Sequence, residues 1–402
     1  MRITLIGCPF KTSYGAATES LKKALERQTG QAVDWVASNC GCGDDVELKR
    51  QFQMTGCNYF DAITITDHPT PTRGKIWLKL AARKFFYWFR ARKYQKLSAG
   101  ADVVNFQQTL NAYGSTVLFH WLRQRSRAAR VVTIHELDRH QLKNPESNKI
   151  YNQADAIIVQ QVALKDQLIG LGVDADRIEI VLHGTDLPIL DVTRRREGVV
   201  FYGGHHPLKG KGLQAVFQAI AILKTRLGAD APRLKVHGYF SEEDLAAVKQ
   251  QAMEAGLHND VTWLMQIPMP EVFRHYRSSL LCVLPFMGSF AGLAAATAAA
   301  VELPVIATRN AGIPEHIGEN GIWLDGDNAA EIARQIERLL ASEKLRGDLG
   351  KRLRQRAEEH LRWEVVAENT LAVYERALSR KMSGDCVSPC GATGPQLVPV
   401  GQ

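Results

Sequence analysis

Residues 280–315 constrain this chain more than any other passage. An apolar run at 280–284 leads into a turn bearing Gly288, then a helix-like stretch of alanine and other small residues beginning at Gly292. A second apolar run follows Pro304, and a Gly312-Ile313-Pro314-Glu315 turn closes the passage. Short apolar runs bounded by Gly and Pro suit strands buried on both faces, and small side chains let a helix lie close upon them. The order is therefore strand, helix, strand, with the helix opening at a glycine. The first N–H groups of such a helix have no partner inside it and are suited to hold a diphosphate.

The same alternation fills the rest of the chain. Strands are expected at 3–6, 33–36, 62–65, 103–106, 131–134, 156–159 and 178–181, with a loop around Ser13-Tyr14-Gly15 and a helix at 17–28. Residues 187–198 are polar, basic and punctuated by Pro188, which suits a linker. The pattern then restarts, with strands at 199–202, 234–237, 261–264 and 280–284 and helices at 213–227, 242–255 and 271–278. One long charged helical stretch covers 329–361, and another helix covers 363–378. At 402 residues the chain is too long for one ordinary core. The expected fold class is α/β: two Rossmann-like, doubly wound domains facing a central cleft. The expected parts are 1–188, 189–362, a helix within 363–382 crossing back to the first domain, and a disordered Gly/Pro-rich tail at 383–402.

No run reaches the apolar length of a membrane span, and residues 1–8 read as a first strand rather than a leader. Seven cysteines without paired zinc spacing point to a reducing cytoplasm and no metal, although Cys386 and Cys390 could in principle ligate one. Charge is uneven: 23 Lys and Arg against 12 Asp and Glu give residues 1–150 a net +11, while the remainder carries −3. The excess is densest at 75–93, where Trp77, Phe85, Trp88 and Phe89 interleave with the cations. That pattern suits an anionic membrane surface or a solvated helix face. Nucleic acid is the weaker reading, because no recognised module surrounds the stretch.

Several segments, in order, resemble GT-B glycosyltransferases of family 4, which use nucleotide-diphosphate sugars. Gly15 matches the glycine that approaches donor phosphate and acceptor, though strand–helix loops carry glycine for turn geometry about as often. His135, in Val131-Val-Thr-Ile-His135, matches the strand-end histidine beside the transferred sugar; the alternative is a histidine hydrogen-bonded in a loop. His183-Gly184-Thr185-Asp186 matches a turn in which the family carries Asn instead of His, and no chemistry is assigned to it. Gly203, His205 and Lys209 belong to the loop where the family places a Gly-Arg pair and a Lys-Gly pair. Lys211-Gly212 fits the latter, Lys209-Gly210 is an alternative register, and Gly204 or His205 stands where the arginine is expected. One cation, aided by a protonated histidine, would then neutralise the departing diphosphate.

The family's two glutamates fall on Ser289 and Thr297, which hydrogen-bond but cannot clasp a diol as a carboxylate does. Gly292 and Leu293 keep the amide cradle; the competing reading is a small-residue helix merely packed on the sheet. Met265 and Ile267 lie where backbone groups meet the nucleobase, so UDP-, GDP- and ADP-sugars all remain open. The resemblance implies a metal-independent, retaining hexosyltransferase of polysaccharide biosynthesis with no other cofactor. Its acceptor would be a glycan, lipid-linked or small molecule, met in the cytoplasm or peripherally at the inner membrane face. Loss of the arginine and both glutamates supports a rival reading, a catalytically degenerate subunit that binds a glycan or stabilises an active partner.

Overall fold

The structure is a computed structural model that describes residues 1–7, 13–38, 58–60, 100–107, 119, 126–137, 148–190, 196–203, 210–238, 240–288, 292–310 and 312–383. Two wholly parallel sheets organise them. The first contains β1 (Ile3–Gly7), β2 (Asp34–Ser38), β3 (Asn58–Phe60), β4 (Val103–Gln107), β5 (Ala129–Thr133), β6 (Ala156–Val159) and β7 (Ile178–Ile180). Its order is β3-β2-β1-β4-β5-β6-β7, with Leu5 of β1 set between Trp35 and Asn105. Every residue of β4, β5 and β6 is buried, as parallel strands covered on both faces require. Helices α1 (Ser13–Thr29) and α2 (Val162–Gly170) belong to this sheet.

The second sheet contains β8 (Val199–Tyr202), β9 (Leu234–Gly238), β10 (Val261–Met265), β11 (Leu281–Leu284), β12 (Val305–Thr308) and β13 (Ile322–Leu324), in the order β10-β9-β8-β11-β12-β13. Between the strands lie α3 (Leu213–Leu227), α4 (Glu242–Glu254), α5 (Met269–Arg277), α6 (Gly292–Ala300) and α7 (Ile313–Ile317). Polar caps start α4 and α8 (Ala329–Leu340): Ser241 Oγ accepts from Asp244 N, and Asn328 Oδ1 from Glu331 N. Ser342 caps α9 (Glu343–Arg356), which passes through a π turn, Ala357–Leu361, into α10 (Trp363–Met382).

Helix α10 returns to the first sheet. Trp363, Val366, Val373, Tyr374 and Ala377 share a core with Ile3, Leu5, Val103 and Val131. Tyr374 Oη accepts from Asn105 Nδ2 at 2.7 Å, and Asn105 Oδ1 accepts from Thr133 Oγ1 at 3.0 Å. Exposed pairs such as Arg27–Glu364 and Arg376–Glu179 flank it. A buried large apolar side chain contributes about 1.5–3 kcal/mol, whereas an exposed ion pair contributes about 0–1 kcal/mol. The apolar face therefore holds α10 in place.

Three expectations change. Helix α1 begins at Ser13, so Gly15 lies in its first turn rather than in a preceding loop. Strand β5 starts at Ala129 and includes Arg130, a residue that the apolar pattern passes over. Its guanidinium is buried because the Asp155 carboxylate accepts from both side chain and backbone. The stretch 329–361 divides at Ser342, whose hydroxyl ends one helix run by capping the next. The third strand of the first sheet is Asn58–Phe60; residues 62–65 lie outside the described residues. So do 191–195 of the linker, 75–93, and the tail beyond Ser383. The described linker residues are tied down, with Pro188 O and Ile189 O accepting from Arg354 and Arg277.

Candidate active site

In a doubly wound sheet, the crevice opens beyond the carboxyl ends of the strands where strand order reverses. That point lies between β8 and β11 in the second sheet and between β1 and β4 in the first. The loops leaving these strands carry most of the residues selected from sequence.

Gly203 follows β8, and its N–H donates to His237 O at 2.8 Å. Gly210 and Gly212 both adopt positive φ, and Gly212 is the N-cap of α3. A Cβ on Gly212 would stand 2.5 Å from Pro285 O, so only glycine lets this loop lie against the turn after β11. Met287 N donates to Gly210 O at 2.8 Å, joining the two loops. Between the glycines, Lys211 is 5% exposed, and its ammonium sits 4.5 Å from the centroid of the Phe286 ring. Burial lowers its pKa to about 8, and the negative charge of Glu136 partly opposes that shift. Lys211 thus feels the negative charge of Glu136 from the first domain, while burial makes its ammonium easier to deprotonate than that of an exposed lysine.

Helix α6 begins at Gly292, as the sequence predicts, and buries Gly292 and nearly every alanine that follows. Its leading N–H groups, those of Gly292 and Leu293 among them, have no acceptor within the helix itself. Thr297 is buried, and its Oγ1 donates to Leu293 O at 2.8 Å. The hydroxyl proton is therefore committed to the helix, leaving Thr297 able only to accept. Beyond β10, Met265 and Ile267 flank Gln266, a non-glycine residue at φ 53° whose N–H donates to Gly238 O. A left-handed non-glycine residue is a small store of strain of the kind found at ligand-binding loops. Ser289, His205 and Lys209 lie outside the described residues.

His135 stands just past the end of β5, and His183 just past β7, with β6 between them. The imidazoles meet: His135 Nδ1 and His183 Nε2 are 3.3 Å apart, and the rings are inclined by only 8°. Burial lowers the pKa of His135 to about 4. It also lowers that of His183 well below the ordinary value, with further repulsion from His135 and His316. Both are neutral at pH 7, so this pair supplies hydrogen bonds; the histidine expected to act as a cation, His205, lies outside the described residues. Sequence reasoning assigned His183 no chemistry. Its signal was there, a histidine in place of Asn, but only the sheet order shows which ring it meets. Beneath the pair, Gln107 and Gln160 help line a chamber of about 30 Å³, room for a water or a single hydroxyl.

A hydrogen bond spans the domains at the far side. Glu315 Oε1 accepts from Val162 N, the first residue of α2, at 2.7 Å. Arg356 braces Glu315 by donating to its carbonyl and to that of His316. Among the described residues no group of three or more His, Cys, Asp or Glu side chains could hold a metal ion, and no helix is long and apolar enough to cross a membrane.

Comparison with known proteins agrees with this architecture. Residues 17–188 match the model described as Glycosyltransferase Family 4, and residues 196–342 that described as Glycosyl transferases group 1. A D-inositol 3-phosphate glycosyltransferase of Pseudarthrobacter chlorophenolicus is 31% identical over 221 residues, 52% of each chain. Its counterpart in Paenarthrobacter aurescens is 28% identical over 246 residues, 58% of this chain and 60% of that protein. The chain thus spans about half the length of the curated relatives it matches. Among solved structures, sucrose-phosphate synthase of Thermosynechococcus elongatus superimposes with a TM-score of 0.71 at 20% identity, covering 94% of this chain and all of that one. A Rickettsia africae glycosyltransferase gives 0.69 at 16%, with 94% and 98% covered. Anabaena Alr3699/HepE, solved with UDP, gives 0.69 at 14%, with 93% and 100% covered. With a glycosyltransferase model on each domain and GT-B neighbours spanning both, this chain belongs to the family 4-like GT-B glycosyltransferases.

Proposed function

We propose that this protein transfers a sugar from a nucleoside-diphosphate donor to a hydroxyl of a glycan, lipid-linked or small-molecule acceptor. One arrangement carries the reading: a lysine seated between Gly210 and Gly212 beside Phe286, across the switch point from the amide-rich start of α6. Cationic and amide donors gathered there favour the charge that grows as a diphosphate departs. In the retaining route, the acceptor oxygen bonds to the anomeric carbon on the face the diphosphate leaves. The carbon–phosphate-oxygen bond breaks, and a diphosphate oxygen takes the acceptor proton. Lys211 holds the leaving group and neutral His135 offers a hydrogen bond at the sugar. Retention and metal independence rest on the resemblance. Peripheral attachment to anionic lipid through 75–93 rests instead on the cations and aromatic rings interleaved in that stretch.

The test is turnover with purified full-length protein and a panel of UDP-, GDP- and ADP-sugars. UDP-glucose is tried first, because a neighbour of the same fold was solved with it. Release of nucleoside diphosphate is expected with at least one donor, and His135→Ala should lower that rate far more than donor affinity. The degenerate-subunit reading draws support from Thr297, whose hydroxyl proton is spent within its own helix. It prevails if no sugar nucleotide binds at millimolar concentration.

A further inference from the structure

The pairing of β11 with β12 ends at Leu284, which lies beside Ala307. Pro285 follows, and it has no N–H with which to continue a ladder. One residue further on, the carbonyl of Phe286 still needs a donor. Thr308, the last residue of β12, supplies it: Thr308 Oγ1 donates to Phe286 O. Both residues are buried, Thr308 to 1% exposure and Phe286 completely, so a carbonyl deprived of that donor would not find water in its place. The branched Cβ of threonine allows few rotamers, which keeps the hydroxyl aimed at its acceptor. The other side of the same turn carries the lysine loop. Pro285 O lies 2.5 Å from where a Cβ on Gly212 would stand, and Met287 N donates to Gly210 O at 2.8 Å. Between those two contacts the Phe286 ring lies 4.5 Å from the Lys211 ammonium.

We propose that Thr308 is a positioning residue for Lys211: its hydroxyl pins the 285–287 turn against which the lysine and both its flanking glycines are seated. The sheet order makes this possible. Strands β8 and β12 lie on opposite sides of β11, so the turn is gripped from the β12 side by Thr308 and carries the loop that leaves β8 on the other. Thr308 touches neither donor nor acceptor in this scheme and acts only through the turn. The consequence rests on the transferase reading, in which Lys211 holds the departing diphosphate; the geometry does not. A cation fixed in one place stabilises that charge without first having to be ordered, and a loosened one must be ordered at every turnover.

The test uses full-length protein with lysine labelled with carbon-13 at Cε, whose NMR shift against pH follows the ammonium. The Lys211 signal is identified by its loss in Lys211→Arg, and in wild type it should titrate at about 8. Thr308→Val keeps the shape and removes the donor. The turn should then loosen and admit water, raising the Lys211 pKa by about half a pH unit or more, threefold in proton affinity. UDP affinity is measured calorimetrically at pH 7, where Lys211 is charged in both proteins, so a loss reports position rather than charge. It should fall about three- to tenfold. Thr308→Ser regains the hydroxyl with freer rotamers, and should return both readouts to within about twofold of wild type. A threonine that serves stability alone would lower the urea midpoint and leave the Lys211 titration unmoved; that outcome overturns the proposal, as does Thr308→Ser behaving like Thr308→Val. If Thr308→Val does not fold, Thr308→Ala removes the donor without setting a methyl against the carbonyl and is read in the same way. A moved titration with no binding of UDP by wild type at millimolar concentration would refute the transferase reading and leave the positioning intact. Binding of UDP by wild type with an unmoved titration in the variant would do the reverse.

Discussion

Lys211 shows how one residue's surroundings set its chemistry. With a pKa near 8, it is charged in only about half of unliganded molecules at that pH. A bound diphosphate favours the charged form, so binding must draw in a proton. We expect nucleoside-diphosphate binding at pH 8–9 to take up a fraction of a proton, seen as calorimetric heats that vary with buffer ionisation enthalpy. Affinity should fall as pH rises further. Lys211→Ala should abolish the uptake and weaken binding at least about tenfold, since a charge-assisted contact is worth about 1.5–3 kcal/mol. Buffer-independent heats would remove Lys211 from the phosphate site. The lysine and its flanking glycines are legible in the sequence. The lowered pKa is not, because it comes from burial, which the fold imposes by packing the lysine against segments such as Phe286, 75 residues along the chain.

Among the elements, the loop into α3 is the most exacting. Gly212 combines positive φ with a Cβ position that Pro285 O already occupies. Gly212→Ala should therefore destabilise by about 1–3 kcal/mol, the range for a strained backbone position, and push Lys211 away from the turn after β11. Gly288, in the neighbouring turn, has open space around its would-be Cβ. Gly288→Ala should stay within about 0.5 kcal/mol of wild type in chemical denaturation. Equal stability of the two variants would show that the loops do not pack as described. Strand and helix order was readable because parallel strands are continuous apolar runs and crossover helices carry their own caps. It failed at Arg130, where a buried ion pair puts a charge inside a strand, and at Ser342, where one hydroxyl divides a charged stretch that looks continuous.

For the whole molecule, two properties follow from what the fold buries and joins. His135, His183, His237 and His316 all have pKa values lowered by burial, to about 4 for three of them. The unfolded chain binds protons at these histidines below pH 6.5 and the folded chain does not, so stability is full above that pH and is lost as pH falls toward 4. Each group adds a slope of up to about 1.4 kcal/mol per pH unit. Urea midpoints should drop steeply between pH 6.5 and 4.5, and a flat profile would mean these rings are solvated. The domains themselves are joined by Glu315, which caps α2 in place of a local side chain. An exposed cap is worth about 0.5–1 kcal/mol, enough to shift an open–closed balance several-fold. Glu315→Ala should broaden the interdomain distances measured between paired spin labels, and an unchanged distribution would show that other contacts set the closure.

The sequence alone determined the alternation of strands and helices, its restart after the linker, the glycine-led helix at 292 and the lysine at 211. Each is local, a matter of period, turn chemistry or backbone freedom within a few residues. Only the tertiary structure decided that His183 meets His135, that Glu136 bears on Lys211, and that Glu315 caps a helix 153 residues away. Those relations depend on which strands lie side by side and how two sheets face one another. Burial then changes the chemistry of the residues brought together, holding the imidazoles of His135 and His183 neutral.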